Sequence, residues 1–139
     1  MKTTDELAHE LELAENVLDY FAANRDELNM NSFPEYLTAW LERKNLRKSD
    51  VVRRSNLNKA YVYQIFSGRK YPSRDKVLSL AFGLGLDCAE TQTLLKQAGY
   101  RELYPRDRRD ALLLYAVARG MDVMEANELL FSHEIEVLE

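Results

Sequence analysis

Apolar residues recur every three or four positions through most of the chain, which is the spacing of one face of an α-helix. The first such stripe predicts a single amphipathic helix over about residues 5–23, with Thr3 or Thr4 as its N-cap. An asparagine-rich stretch over 24–31 then predicts a connecting loop. We expect the stripe to pack on the domain core or on a second copy, because it is too short for an autonomous coiled coil. Its members are Leu7, Leu11, Ala14, Leu18 and Phe21.

A strong helix start follows at Ser32-Phe33-Pro34-Glu35, which combines a serine N-cap, an early proline and a glutamate placed for a capping box. This helix is predicted to end near Lys44 or Asn45. Its buried stripe is predicted to contain Phe33, Leu37, Trp40 and Leu41.

Two short helices are predicted next, over about 48–54 and 59–67, with a tight turn between them. Asn56 suits a left-handed backbone conformation in that turn, and Asn58 suits the N-cap of the second helix. Gly68 should end the second helix, and Ser73 should cap a further helix over about 74–84. The inward positions are expected to be Val51, Val52, Val62, Ile65 and Phe66.

The chain then repeats itself at an offset of 35 residues, with nine identities in the 22 positions of 74–95 and 109–130. In each copy one helix ends at a glycine and the next begins with an Asp-x-x-Glu capping pair, so the repeated unit is predicted to be a helical hairpin. The stretch 99–105 is interpreted as a linker too short and apolar to separate domains. Residues 1–31, 32–98 and 99–139 are therefore predicted as an acidic N-terminal helix and loop, a central helical domain, and a hairpin packed on the same core.

Composition supports one all-α domain, because 139 residues with 46% hydrophobic and 30% charged residues include only five Gly and three Pro. One cysteine and two histidines exclude an internal disulfide and a zinc site. The sequence contains no apolar run of about 20 residues and no signal-peptide core, so we expect a cytoplasmic protein without membrane contact. No phosphate loop or nucleophile–base motif is present, which predicts no enzyme, no metal and no cofactor.

The net charge of minus 4 conceals a strong asymmetry along the chain. Residues 43–74 contain ten basic groups and one acidic group, a net charge of plus 9, whereas 1–42 carry minus 8 and 75–139 carry minus 5. Such a basic block attracts phosphates whatever the global charge, although a solvated basic face would have the same composition.

A stretch that includes this block resembles the lambda-repressor-like helix-turn-helix family, also called the Xre or Cro/C1 type. The resemblance runs without gaps from Leu37 to Asp87. It is carried by Leu37-x3-Leu41-x4-Leu46, Val51, Leu57, Val62-x2-Ile65, Gly68-x3-Pro72-Ser73, Leu78-x-Leu80-Ala81 and Leu84-Gly85. The family fold implies that the helix over 59–67 lies in the major groove of double-stranded DNA.

The resemblance assigns roles to individual residues. It implies base-edge contacts for Lys59, Ala60 and Tyr63, and chemistry adds Gln64, which can pair with adenine if it points outward. Backbone phosphate contacts are implied for Asn58, Ser67, Arg69 and Lys70, and Lys48 stands where the family has a phosphate-binding glutamine.

Besides Lys48, three positions depart from the family pattern: Arg47 stands in place of a small capping residue, Val52 in place of a small residue and Asn56 in place of the turn glycine. Val52 and Asn56 could alter the angle between the helices. Tyr61 and Tyr63 could equally cover the core with their rings. Arg53 and Arg54 are expected to be solvated or ion-paired.

The function predicted is that of a sequence-specific DNA-binding transcriptional regulator, in the manner of a repressor, acting as a homodimer because one module buries too little surface for tight binding. The alternative is a protein-interaction adaptor, antitoxin or inhibitor that uses its acidic N-terminal or C-terminal helices on a protein partner. The acidic N-terminal segment could also fold over the basic block and compete with DNA.

Overall fold

The computed structural model describes residues 1–24 and 32–139, except for the side chains of Phe21 and Ala22. Within these ranges all regular structure is helical, with nine α-helices and no strand. None of these helices has the length and apolar character that crossing a bilayer requires. The chain divides into two compact units, Met1–Asn31 and Ser32–Glu139.

The described part of the first unit, residues 1–24, contains two helices, α1 (Thr4–Leu13) and α2 (Val17–Ala23), so the single helix predicted over 5–23 is wrong. The backbone becomes extended at Ala14, and the Asn16 side chain accepts a hydrogen bond from the Leu18 N–H at 2.8 Å to cap a new helix. Asparagine competes with the helical backbone in this way, which explains the break. Thr3 caps α1, as predicted, by accepting from the Glu6 N–H at 3.1 Å.

The members of the predicted stripe whose side chains are described are not buried. No residue of α1 is buried, and Leu11 and Leu18 are exposed. Among the described side chains of this unit, Tyr20 and Asn24 are the buried ones. Asn24 ends α2 as its C-cap, and the rest of the loop predicted over 24–31 lies outside the described residues, as does the Phe21 side chain.

The second unit contains seven helices in the order and close to the bounds that the capping signals predicted. They are α3 (Phe33–Arg43), α4 (Lys48–Ser55), α5 (Lys59–Phe66), α6 (Arg74–Leu84), α7 (Cys88–Gln97), α8 (Arg108–Ala118) and α9 (Val123–Ser132). The Glu35 carboxylate accepts from the Ser32 N–H at 3.4 Å at the start of α3. Ser73, Asp87 and Asp122 likewise cap α6, α7 and α9 with their side chains.

One hydrophobic core runs through the second unit, from Phe33 in α3 to Leu138. Helix α6 lies at its centre, because every residue from Val77 to Leu84 is buried. It packs against α4, α7 and α9. The backbones of α4 and α6 approach closely at Gly83, where a Cβ would lie 3.1 Å from the Val51 carbonyl oxygen. A helix that is apolar on all sides can only be stable when neighbouring elements surround it.

The repeated hairpins, α6–α7 and α8–α9, are joined by two reciprocal ion pairs. Arg74 donates to both carboxylate oxygens of Asp110, at 3.2 and 3.1 Å, and Arg109 donates to both oxygens of Asp75, at 3.0 and 2.9 Å. At the repeat offset of 35 residues, Arg74 is equivalent to Arg109 and Asp75 to Asp110. In each pair, the arginine of one repeat therefore binds the aspartate of the other. The identical Arg-Asp dipeptides therefore join the two copies to each other.

The structural repeat is longer than the sequence repeat. Leu103 and Leu138, which are equivalent, each donate their backbone N–H to the amide oxygen of Gln92 or Asn127, at 2.7 and 2.8 Å. The next residues donate in the same way, Tyr104 to Asp110 at 2.9 Å and Glu139 to Asp75 at 3.1 Å. Residues 99–104, within the stretch predicted as a linker, are therefore the closing segment of the first repeat. Residues 134–139 are the closing segment of the second.

The ion pairs predict a pH dependence of stability. Burial alone raises the pKa values of Asp75 and Asp110, but the arginine hydrogen bonds and a backbone N–H outweigh burial and leave both pKa values below the ordinary range. Their contribution is complete above the pKa of an unfolded aspartate, about 3.9, and is lost as the pH falls through the lowered folded values. Urea midpoints measured from about pH 7 to about pH 2 should therefore stay level down to about pH 5 and decrease below it.

The matched variant is Asp75→Asn, in which the acid-side decrease should be smaller than in the original chain. A urea midpoint that stays constant or rises down to about pH 2 would contradict the assignment.

Candidate nucleic-acid interface

Helices α4 and α5 are joined by a three-residue turn with the geometry that the asparagines predicted. Asn56 takes the left-handed conformation, with φ 58° and ψ 25°, and ends α4. The Asn58 side chain accepts from the Tyr61 N–H at 3.3 Å and caps α5. The N–H of Leu57, the residue between the two asparagines, donates to the buried Ser55 hydroxyl at 3.3 Å. The turn is thus fixed by its own side chains as well as by packing.

Helix α5 is held by one face and leaves its N-terminal end accessible. Val62, Ile65 and Phe66 are buried, and α5 contacts α3 and α4. Lys59 and Ala60, the first two residues of the helix, are exposed. An exposed first turn on a helix fixed from behind is the arrangement in which side chains can reach into a groove.

Tyr63 lies one turn further along α5 and forms a cluster with two lysines. Its side chain is 40% exposed. The Lys59 Nζ lies 5.8 Å from the centroid of the Tyr63 ring, and the Lys48 Nζ lies 5.4 Å from it. Lys48 also lies 5.5 Å from the Phe66 ring. The two lysines, one from each helix, thus flank one exposed aromatic ring through cation–π contacts.

Gln64 organises the segment after α5 through its backbone. Its carbonyl oxygen accepts from the N–H groups of Arg69 and Lys70, at 2.9 and 3.2 Å, and from the Ser67 hydroxyl at 3.1 Å. Gly68 takes φ +84° between them, as its predicted position at the helix end requires. The Gln64 side chain is half-buried, whereas Arg69 and Lys70 are exposed beyond the end of the helix.

The two tyrosines of α5 have different surroundings. Tyr61 is half-buried against the core, and burial raises the pKa of its phenol. The Nζ of Lys76, in α6, lies 5.8 Å from the Tyr61 ring centroid. Tyr61 therefore covers the core, and Tyr63 is the accessible one. Lys76 was missed by the sequence reasoning, because it follows the end of the basic block and only the folded chain brings it to α5.

Arg53 is ion-paired, as expected. Its guanidinium donates to Asp50 at 3.1 Å, and the same carboxylate accepts from the Arg47 N–H at 2.9 Å at the start of α4. The Arg47 N–H, and after it the Arg53 side chain, lower the pKa of Asp50 despite some desolvation. The single acidic residue of the basic block is thus used inside α4.

Among the described residues, no group of three or more His, Cys, Asp or Glu side chains is placed to hold a metal ion. Comparison with known proteins adds no identification, because no protein-family model, curated protein or solved structure matches the chain.

Asn56 provides a test of the turn. Asn56→Ala should lower the free energy of unfolding by about 1 kcal/mol, since the left-handed conformation costs a non-glycine residue without a short polar side chain about 1–2 kcal/mol. Asn56→Gly should leave stability close to that of the original chain, because glycine adopts this conformation without steric cost. Thermal or urea unfolding compares the three proteins, and an alanine variant as stable as the glycine variant would contradict the prediction.

Proposed function

We propose that the protein is a sequence-specific DNA-binding transcriptional regulator with a lambda-repressor-like helix-turn-helix, in which α5 enters the major groove. The observation that carries the proposal is the exposed first turn of α5, with Lys59, Ala60 and the flanked Tyr63, on a helix fixed by its buried face. This surface belongs to the only strongly basic block in an otherwise acidic chain. The proposal also follows the resemblance of Leu37 to Asp87 to that family.

The proposed base readers are Lys59, Ala60, Tyr63 and Gln64. Lys59 can donate to the guanine acceptors, and Ala60 can contact a thymine methyl group. Gln64 reaches adenine only if its half-buried side chain turns outward.

The proposed phosphate ligands are Lys48, Asn58, Ser67, Arg69 and Lys70. The Asn58 amide oxygen is used in capping α5, which leaves its NH₂ group as a donor. The Ser67 hydroxyl donates to Gln64, so it must rotate away before it can donate to phosphate. The Lys48 ammonium group lies 5.4 Å from the Tyr63 ring centroid, where it can contact phosphate as a point charge.

Tight binding by this surface requires a homodimer, because a single small module buries too little DNA surface. The two copies of α5 would then contact half-sites about one helical turn apart, and the operator would be palindromic.

The test is selection of bound duplexes from a random DNA library, with the original chain, Lys59→Ala and Lys96→Ala run in parallel at one salt concentration. Lys96 lies on α7, outside the proposed interface, and controls for the loss of one positive charge. The original chain and Lys96→Ala should recover the same palindromic motif, and Lys59→Ala should lose preference at one position per half-site. If none of the three proteins recovers a motif, the proposal of sequence-specific DNA binding is wrong.

In that case the alternative of an adaptor, antitoxin or inhibitor becomes the leading proposal. The contacts of Lys48 with two aromatic rings favour this alternative, because a lysine held there for packing does not need a phosphate partner. Fold alone does not decide between the two functions.

A related proposal concerns the acidic N-terminal segment, which we propose competes with DNA for the basic block. Residues 1–30 contain two basic and eight acidic groups, a net charge of minus 6, against plus 9 in 43–74. Removal of residues 1–30 should then tighten DNA binding at low salt, and the gain should decrease as salt screens the charges. Fluorescence anisotropy with one labelled duplex measures both, and unchanged or weaker binding after truncation would disprove the competition.

A further inference from the structure

Helix α9 exposes an apolar surface that the hydrophobic core does not use. Met124 and Phe131, seven residues apart and therefore on one face of the helix, are 63% and 77% exposed. With Val137 of the closing segment, and with Asn127 and Glu128, they line a shallow open groove of about 320 Å³. We call this surface the α9 groove.

The first repeat shows that the fold does not require this groove to be apolar. At the offset of 35 residues, Phe131 and Val137 correspond to Lys96 and Glu102. Those two side chains form an exposed ion pair, with 3.9 Å between Nζ and Oε1. The hydrogen bonds that hold the two closing segments are equivalent, yet one repeat has a charged pair where the other has two apolar side chains.

The first repeat also shows what packs on the adjoining part of this helix face. There α3 lies against α7, with the Trp40 indole N–H donating to Gln97 at 2.9 Å and Lys44 paired with Glu90 at 2.8 Å. The α9 equivalent of Glu90 is Glu125. Among the described residues no ion pair joins Glu125 to a lysine or arginine. The glutamate is thus present in both repeats, and in the first repeat it pairs with Lys44 at the end of the neighbouring helix α3.

Charge distinguishes the possible occupants. Residues 120–139 contain six acidic groups and no lysine or arginine. A second α9 would therefore bring like charges together at Glu125 and Glu128, and an anionic membrane surface would be repelled. A contact between two ten-residue helices, each about 15 Å long, is also too small for a stable dimer interface of about 1,200 Å² or more.

We propose that the α9 groove is the docking site for a basic amphipathic helix of a partner protein. The apolar face of that helix packs on Met124, Phe131 and Val137, and its lysines or arginines pair with Glu125 and Glu128. This is helix-in-groove recognition, in which the docking helix packs apolar side chains spaced three or four residues apart into the groove and places its charges at the rim. The proposal does not depend on whether the chain binds DNA.

The probe is a synthetic helical peptide of about 18 residues, or five turns, with leucine and tryptophan on one face and lysine on the others. One control peptide replaces the apolar face by glutamine, and another replaces lysine by glutamate. Binding of each labelled peptide to the full chain is measured by fluorescence anisotropy.

The test variant is F131K/V137E, which installs the charged pair of the first repeat without changing the net charge. The control variant L13K/V17E makes the same kind of change at two exposed apolar positions of the first unit. Met124→Ala, which installs the first-repeat residue Ala89, is a second test variant with less disturbance of the closing segment. Thermal melts establish that each variant is folded.

We expect saturable binding of the amphipathic basic peptide to the original chain and to L13K/V17E with similar affinity. F131K/V137E should bind it about tenfold more weakly or worse, because the apolar contact of the phenylalanine side chain is lost. Met124→Ala should weaken binding in the same direction, and both control peptides should bind more weakly than the probe.

Equal binding by the original chain and F131K/V137E would overturn the proposal, as would equal binding of the glutamine-faced peptide, which would mean that charge alone attracts the probe. Absence of saturable binding to the original chain would also overturn it. Sedimentation equilibrium adds a further arm: a dimer that F131K/V137E dissociates would identify a second copy as the occupant and reject a basic partner helix.

Discussion

Replacement of Asp110 by asparagine should lower the free energy of unfolding by about 3–5 kcal/mol, because it leaves the buried partner charge uncompensated. The Asp110 side chain is 2% exposed, and that of Arg74 is 16% exposed. The carboxylate accepts two hydrogen bonds from Arg74 and one from the Tyr104 N–H. An amide in its place has one acceptor oxygen, and its NH₂ group must face one of these donors. Urea unfolding at neutral pH measures the loss.

Two other variants make this prediction specific. Lys96→Gln removes an exposed ion pair and should change stability by less than about 1 kcal/mol, as surface pairs do. Asp75→Asn, the same change in the more exposed of the two reciprocal pairs, should cost less than Asp110→Asn. If Asp110→Asn stays within about 1 kcal/mol of the original chain, the buried pair does not hold the repeats together as described.

The double variant Arg74→Met/Asp110→Leu distinguishes the loss of the ion pair from the effect of leaving one charge unpaired. It removes both charges and should recover part of the stability lost in Asp110→Asn, because apolar side chains carry no uncompensated charge. A double variant less stable than Asp110→Asn would show that the hydrogen bonds of Arg74 to the Arg101 and Glu102 carbonyls matter more than its charge.

The second large effect is expected on DNA. If α5 reads the major groove, Lys59→Ala should weaken binding to the selected operator by about 1–3 kcal/mol, or about 5-fold to 150-fold, and should weaken non-specific binding much less. Arg69→Ala and Lys70→Ala should instead weaken binding to all sequences similarly. Each should reduce the slope of log K against log salt by about one unit per half-site, or about two for the homodimer.

Titrations of operator and scrambled duplexes at several salt concentrations separate these cases, with Lys96→Ala as the charge control. An equal loss for both duplexes in Lys59→Ala would reassign Lys59 from base contact to phosphate contact. Operator binding unchanged in all three interface variants would place the DNA contact outside α5 and the segment that follows it.

Local signals predicted most of the second unit well. Ser32, Asn58 and Ser73 mark helix starts, and Asn56 and Gly68 mark helix ends, because capping and left-handed conformations depend on the residue and its immediate neighbours. The same kind of signal at Asn16 was overlooked, because the three-and-four spacing of apolar residues continued through it. Periodicity alone therefore predicted one helix where a side-chain cap makes two.

The repeat shows a different limit of sequence reasoning. Identity was visible over 74–95 and 109–130, where side chains make the packing and the caps. The closing segments 99–104 and 134–139 share only Leu103 and Leu138, because backbone N–H and carbonyl groups hold them and almost any side chain supplies those groups. Equivalent structure there left little trace in the sequence.

The sequence by itself determined the helical class, the position of the helices in the second unit, the placement of positive charge in one block and the existence of a duplication, since each depends on neighbours along the chain. Tertiary structure alone decided which side of α5 is accessible, that Tyr61 is covered while Tyr63 is exposed, and that the duplicated Arg-Asp dipeptides bind each other's copy. It also decided that Phe131 is left on the surface, although its apolar character favours the core. Burial and pairing depend on residues far apart in the chain, so they become defined only when the helices pack.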